Sequence, residues 1–103
     1  NNNVKLVIEE RNKLQTAMNE IGIKTLPSDS NAFMSTNIYH NDFFELLKSR
    51  GIAVAKIDSK YENYYYFRIA VQMPPINKLF IEKLNDIGFD KIKKYEFKNK
   101  FER

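Results

Sequence analysis

The chain has 103 residues, of which 43% are apolar and 29% charged, and its formal net charge is +4. This length supports one domain with one core, and the absence of cysteine excludes disulfides and thiolate metal sites. His40 is the single histidine, so no metal site is expected. Since no apolar run could cross a bilayer and no signal segment opens the chain, the sequence predicts a cytoplasmic protein without a membrane partner.

The first half of the chain is predicted to form a helix, a strand and a second helix. Apolar residues recur with helical spacing from Val4 to Ile21, and Gly22 follows as a helix stop. After the turn-forming cluster Pro27–Ser30, the sequence predicts a strand at Ala32–Asn37. Phenylalanine and leucine then supply the apolar stripe of a helix at Asp42–Arg50.

The second half is predicted to form a hairpin and a third helix. Its strands are Ile52–Ile57 and Tyr64–Gln72, joined by a short polar segment. Pro74 and Pro75 begin the helix, which Gly88 ends. The order α-β-α-β-β-α predicts an α+β domain of two layers. Its helices lie on one face of a small, mostly antiparallel sheet of three to four strands.

Arg68 is the most informative residue, because it is the lone charge in an apolar, aromatic strand. Strand side chains alternate between faces. One face is therefore predicted to be core: Tyr65, Phe67, Ile69 and Val71. The other face is predicted to carry Tyr64, Tyr66, Arg68, Ala70 and Gln72. If the guanidinium is desolvated there, it needs an anion, either an acid of this chain or the carboxylate or phosphate of a ligand.

Most of the positive charge lies at the end of the chain. Residues 89–103 hold six basic and three acidic side chains, which account for +3 of the total +4. A lysine-rich end is more often a solvated face than a phosphate-binding surface, and the basic-glycine-aromatic pattern of RNA-binding sheets is missing. Nucleic acid is therefore not the predicted partner. Neither a phosphate-binding glycine loop nor an activated nucleophile is visible in the sequence.

Four short strings occur in order along the chain: Glu10–Leu14, Pro27–Met34, Gly51–Val54 and Phe67–Val71. This succession resembles the C-terminal small domain of fold-type I aminotransferases, which depend on pyridoxal phosphate. It is most similar to the branch of histidinol-phosphate aminotransferase and threonine-phosphate decarboxylase. The resemblance covers about Val4 to Ile87, which is nearly the whole chain.

The resemblance implies a substrate-binding role for two residues. Arg68 would bind the α-carboxylate of an amino-acid substrate, and Asn31 would stand at the rim of the site or support it. A turn residue that satisfies local backbone groups is the alternative for Asn31. No catalytic, cofactor-binding or metal-binding residue is expected in this chain, because the residues that hold pyridoxal phosphate would lie in a large domain outside it.

The protein implied by the resemblance is an aminotransferase that moves an amino group between an amino acid and a 2-oxo acid and works as a homodimer. This chain would be one small domain of it: an interdomain-type helix at 1–22, an α/β core at 23–88 and a basic tail at 89–103. The chain opens with asparagine in place of an initiator methionine, as a piece of a longer protein or a processed mature protein would. Alone, it is expected to be inactive.

Three positions depart from the branch, namely Ala32, Ala55 and Gln72. Ala55 stands where an arginine commonly holds a substrate phosphate, and Lys56 would point to the other strand face, so histidinol phosphate is not the expected substrate. Two other functions stay open. The chain could be a non-catalytic binding module that uses the Tyr64, Tyr66 and Arg68 face and the basic tail to bind an acidic partner or single-stranded nucleic acid. It could also be an aminotransferase-like scaffold without activity.

Overall fold

The structure is a computed structural model that describes residues 2–60 and 62–97. In this part of the chain there are four helices: α1 (Asn2–Glu20), α2 (Asn41–Ser49), α3 (Pro74–Ile87) and α4 (Phe89–Lys94). There are also four strands: β1 (Ala32–Met34), β2 (Tyr39–His40), β3 (Ala55–Asp58) and β4 (Tyr64–Ala70). The predicted α+β class is confirmed, and β2 and α4 are two elements more than the sequence predicted.

Strand β4 is the centre of the sheet, because every other strand pairs antiparallel with it. β1 places Met34 opposite Arg68, and β3 places Ala55 opposite the same residue, so these two strands flank β4. β2 lies on the same edge of β4 as β1, with Tyr39 opposite Tyr65. The sheet therefore has three rows of strands, and one row is shared end to end by β1 and β2.

Ser35 interrupts the strand that the sequence predicted at 32–37. This residue is buried, its N–H donates to the carbonyl of Phe67 at 2.9 Å, and its Oγ accepts from the Phe67 N–H at 3.1 Å. The hydroxyl thus takes the place of a backbone carbonyl in the ladder. Between β1 and β2 the chain uses two residues more than β4 does, which is a bulge.

The helices cover only one face of the sheet. Phe67 and Ile69 are buried on that face, and Tyr65 and Val71 pack against them half-buried, as predicted. The helices contribute Leu14 and Met18 from α1, Phe43, Phe44 and Leu47 from α2, Leu84 and Ile87 from α3, and Ile92 from α4. The other strands and the loops add Ile23, Phe33, Tyr39 and Ile52. The other face of β4 carries the half-buried Tyr64 and Tyr66 and the exposed Arg68 and Ala70. None of the helices in the described ranges covers this face.

The first part of the segment predicted as a basic tail, Phe89–Lys94, forms helix α4. Its only buried side chain is Ile92, which joins the core. Gly22 has a φ of +89°, and a Cβ at this position would overlap the ring of Phe89, so the end of α1 and the start of α4 are in close contact. Beyond α4 the chain bridges to β2, opposite Tyr39. Residues 98–103 of the predicted tail lie outside the described residues.

Removal of the Tyr39 hydroxyl is expected to stabilise the fold. Tyr39 is fully buried and stacks on Phe43 at 4.3 Å between ring centroids, but its hydroxyl has no hydrogen-bond partner among the described residues. Burial, with a smaller contribution from the charge of Glu96, raises the pKa of Tyr39 far above its usual range. Tyr39→Phe should therefore raise the free energy of unfolding by about 1 kcal/mol. Urea denaturation measures the change, and a loss of stability would show that the hydroxyl is bonded.

Candidate functional site

The candidate site is the bare face of the sheet around Arg68. Met34 of β1 and Ala55 of β3 lie on either side of this arginine, and Tyr66 and Ala70 lie before and after it on the same face of β4. Among the described strand residues, Arg68 is the only lysine, arginine, aspartate or glutamate on this face, because Lys56 and Asp58 alternate to the other one. The face is therefore apolar and aromatic around one positive charge.

Arg68 is exposed, and its guanidinium has neither a hydrogen bond nor an ion pair with the described residues. The guanidinium is not desolvated among the described residues, because the helices cover only the opposite face, as the predicted two-layer arrangement implies. The internal salt bridge that the sequence left open is likewise not found in the described ranges. A guanidinium carries five N–H donors in a planar fork, which suits a carboxylate bound at two points. Its donors are available to an external anion.

Asn31 lies at the end of the same sheet. It belongs to the turn that follows α1, in which the hydroxyls of Ser28 and Ser30 donate to the carbonyl of Ala32 at 2.6 and 3.0 Å. The carbonyl of Asn31 accepts from the N–H of Val71 at 2.8 Å, three residues along β4 from Arg68. At about 3.3 Å per residue, this separation is about 10 Å. The structure brings Asn31 and Arg68 to one end of the sheet without a hydrogen bond between them.

Arg11 supports this end of the sheet, a role that sequence reasoning missed. Its Nη1 donates to the carbonyl of Ser30 at 3.0 Å, next to Asn31, while its Nε is buried without a partner among the described residues. The signal was present, because Arg11 lies four residues after Val7 and three before Leu14 on the apolar stripe of α1. An arginine on a core stripe indicates a cation that binds something across the helix surface.

Lys56 lies on the helix side of the sheet, as predicted from strand alternation. Its Nζ donates to Oδ1 of Asn41 at 2.6 Å and lies 4.7 Å from the ring centroid of Tyr65. The neighbouring Ala55 is the residue beside Arg68. The strands therefore bring no second cation next to Arg68 for a substrate phosphate.

Aromatic stacking on the bare face is limited. Tyr64 already contacts the ring of His40 at 4.4 Å and that of Phe97 at 4.2 Å. Tyr66 is the aromatic residue left beside Arg68 on β4. A row of free rings, as single-stranded nucleic acid requires, is thus absent from this strand.

The residues of the bare face fit a carboxylate and do not fit pyridoxal phosphate. Binding of that cofactor requires a lysine at the site and a cradle for its phosphate. Gly22, Gly51 and Gly88 each follow a helix, and α2 and α3 have no glycine at their first residues. The described residues also contain no cluster that could hold a metal ion. None of the described helices is both long and apolar enough to span a membrane.

No protein-family model and no curated protein matches the sequence. Among solved structures, that of threonine aldolase from Leishmania major matches with a TM-score of 0.63 and 16% sequence identity over 79% of this chain. The two share a fold. The match spans 24% of the aldolase chain, so this chain corresponds to about a quarter of that protein's length.

Proposed function

We propose that this chain is the small domain of a fold-type I enzyme that depends on pyridoxal phosphate, and that Arg68 binds the α-carboxylate of its amino-acid substrate. The observation that carries the proposal is an exposed guanidinium on the middle strand of the sheet, with no partner and no covering helix among the described residues. The fold likeness to threonine aldolase supports the class of enzyme.

The surroundings of Arg68 favour a small planar anion. The side chain of Ala55 ends at Cβ, and Met34 is flexible and half-buried, so neither residue competes for the guanidinium. If the rest of the enzyme covers this face, water is excluded and the ion pair between Arg68 and a carboxylate becomes stronger. Arg11 would then act at a distance, by holding the Ser30–Asn31 turn at the edge of the same surface.

Within this class we infer transamination between an amino acid and a 2-oxo acid, since the four strings resemble aminotransferases. Aldol cleavage of a hydroxy amino acid is the second candidate, favoured by the fold likeness to threonine aldolase. When bound, the cofactor supplies the carbanion chemistry of either reaction. The contribution of this chain is to bind and orient the substrate. The homodimer and the cytoplasmic location remain part of the proposal.

The test uses the full-length protein that contains this chain. Substrate binding is followed by the visible absorbance of bound pyridoxal phosphate during titration with a panel of amino acids. Arg68→Ala should weaken binding of the active amino acid about tenfold to hundredfold, because a hydrogen-bonded charge pair is lost. The affinity of Arg68→Lys should lie between those of the wild type and Arg68→Ala, since lysine keeps the charge without the planar fork.

Arg50 provides the matched control. It is an exposed arginine at the end of α2, on the helix layer, and Arg50→Ala should leave the affinity unchanged. Product analysis separates the two reactions, because transamination yields a 2-oxo acid and aldol cleavage an aldehyde. An Arg68→Ala variant with unaltered affinity for every amino acid would refute the assigned role. A full-length protein that takes up no cofactor would refute the class.

A further inference from the structure

The two edges of the sheet differ in how they are covered. On the β1 and β2 side, the N–H of Leu26 donates to Met34 and the N–H of His40 donates to Tyr95, so flanking segments occupy the outer edge. β3 pairs with β4 alone, and no other described strand lies along its outer side. An uncovered edge strand presents free N–H and C=O groups to which another strand can bind.

The hydrogen-bond pattern shows which residues of β3 present these groups. Phe67 exchanges hydrogen bonds with Ser35, so its backbone points toward the β1 side of β4. The backbones of the alternate residues Tyr66 and Arg68 therefore point toward β3, where they pair with Ile57 and Ala55. Lys56 lies between Ala55 and Ile57, and Asp58 follows Ile57. Because backbone direction alternates along a strand, the backbone groups of Lys56 and Asp58 point away from β4.

The two residues whose backbone groups point outward, Lys56 and Asp58, carry opposite charges. One register of an antiparallel pair between two β3 strands therefore places opposite charges next to each other. An antiparallel second copy must place outward residues opposite outward residues. Lys56 opposite Lys56, or Asp58 opposite Asp58, brings like charges together, which is destabilising. Lys56 opposite Asp58 makes two identical ion pairs, with Ile57 opposite its own copy on the symmetry axis.

We propose that a second copy of this chain pairs antiparallel with β3, about a two-fold axis at Ile57, through two Lys56–Asp58 ion pairs. Such an interface presents the same patch on both copies. Both side chains are exposed, and Asp58 has no ion pair among the described residues. Lys56 donates to Asn41 across the ring of Tyr65 in the single chain, so on pairing its side chain exchanges this hydrogen bond for the ion pair.

The paired sheet has a defined geometry. Opposed residues in an antiparallel pair lie on the same face, so the bare faces of both copies become one continuous surface. Three strand spacings separate one β4 from the other, which places the two strands about 14 Å apart. Both Arg68 side chains then stand on the same surface. The pairing does not depend on the enzymatic role proposed above.

Charge exchange tests the interface. Sedimentation velocity of the chain over a range of concentrations should show a monomer–dimer equilibrium that weakens as salt is raised. Lys56→Glu and Asp58→Lys, each alone, place like charges opposite each other and should weaken association at least about tenfold. In an equimolar mixture of the two variants, one chain presents two carboxylates on its outer edge and the other presents two ammonium groups, so association should be restored.

The mixture distinguishes this register from a general loss of folding, since a variant that merely misfolds cannot be rescued by the other. Asp58→Lys leaves the contacts of Lys56 in place, and far-ultraviolet circular dichroism verifies the fold of both variants. A chain that stays monomeric at every concentration overturns the proposal. So does a dimer that both single variants leave intact, or a mixture that associates no better than its components.

Discussion

Phe67→Ala is expected to lower the free energy of unfolding by about 4 kcal/mol. Phe67 is fully buried at the middle of β4, and its ring lies 5.4 Å from that of Tyr39, 5.9 Å from that of Phe43 and 6.2 Å from that of Phe44. Truncation removes this ring from the core between the sheet and the helices and leaves a cavity. Because the total free energy of unfolding of a small domain is about 5–15 kcal/mol, the variant should be close to unfolding.

The effect of Phe67→Ala is measured by urea denaturation and by a fall in Tm of more than about 15 °C. The matched control is Tyr66→Ala, which removes an aromatic ring from the adjacent position of the same strand. Tyr66 lies half-buried on the bare face, so Tyr66→Ala should lower the free energy of unfolding by about 1 kcal/mol. Similar losses for the two variants would contradict the assignment of one buried and one open face.

Asn77→Ala is expected to cost about 3 kcal/mol, although Asn77 is polar and touches no aromatic cluster. Its side chain is buried and bonds three groups at once. It accepts from the N–H of Gln72 at 2.9 Å, donates to the carbonyl of Gln72 at 2.7 Å and donates to Oε1 of Glu10 at 3.0 Å. Alanine would leave the backbone groups of Gln72 and the carboxylate of Glu10 without this partner. It would also remove the hydrogen bond between α1 and α3.

The loss in Asn77→Ala should depend on pH. The hydrogen bond from Asn77, with smaller contributions from Lys13 and against the opposing effect of burial, lowers the pKa of the Glu10 carboxyl. A lowered folded-state pKa adds stability above the ordinary carboxyl range, and this stability is lost as the pH falls through the lowered value. The difference between wild type and variant should therefore be largest at neutral pH and should narrow in acid.

Lys13 provides the control for that experiment. It is the other partner of Glu10, at 3.3 Å, but its side chain is 75% exposed, so Lys13→Ala should cost less than about 0.5 kcal/mol. Urea denaturation at a series of pH values compares the two variants. A difference for Asn77→Ala that is constant with pH would mean that Asn77 acts through Gln72 alone.

The sequence predicted the elements whose burial alternates or repeats over several residues. From Tyr65 to Val71, four apolar side chains at every second position predicted the buried face, and the structure places all four in or against the core. The three helices with a long apolar stripe were predicted to within two residues at each end, because glycine or proline marks several of these ends. In these segments the local pattern and the tertiary packing agree.

What the sequence did not predict depends on contacts between distant segments. β2 has only two residues and exists because β4 and the segment after α4 bind it from both sides. Helix α4 has one buried residue, Ile92, which is too few for a helical repeat to be visible among its lysines.

The central position of β4 has a consequence for how the chain is made. β1, β2 and β3 all precede β4 in the sequence, and none of them pairs with another; their common partner is residues 64–70. During synthesis, roughly two thirds of the chain must therefore leave the ribosome before any of the strand ladders can close. Until then the aromatic residues of α2 have no sheet to cover. The sheet thus assembles late and around one strand, while α1 and α2 can form as soon as they emerge.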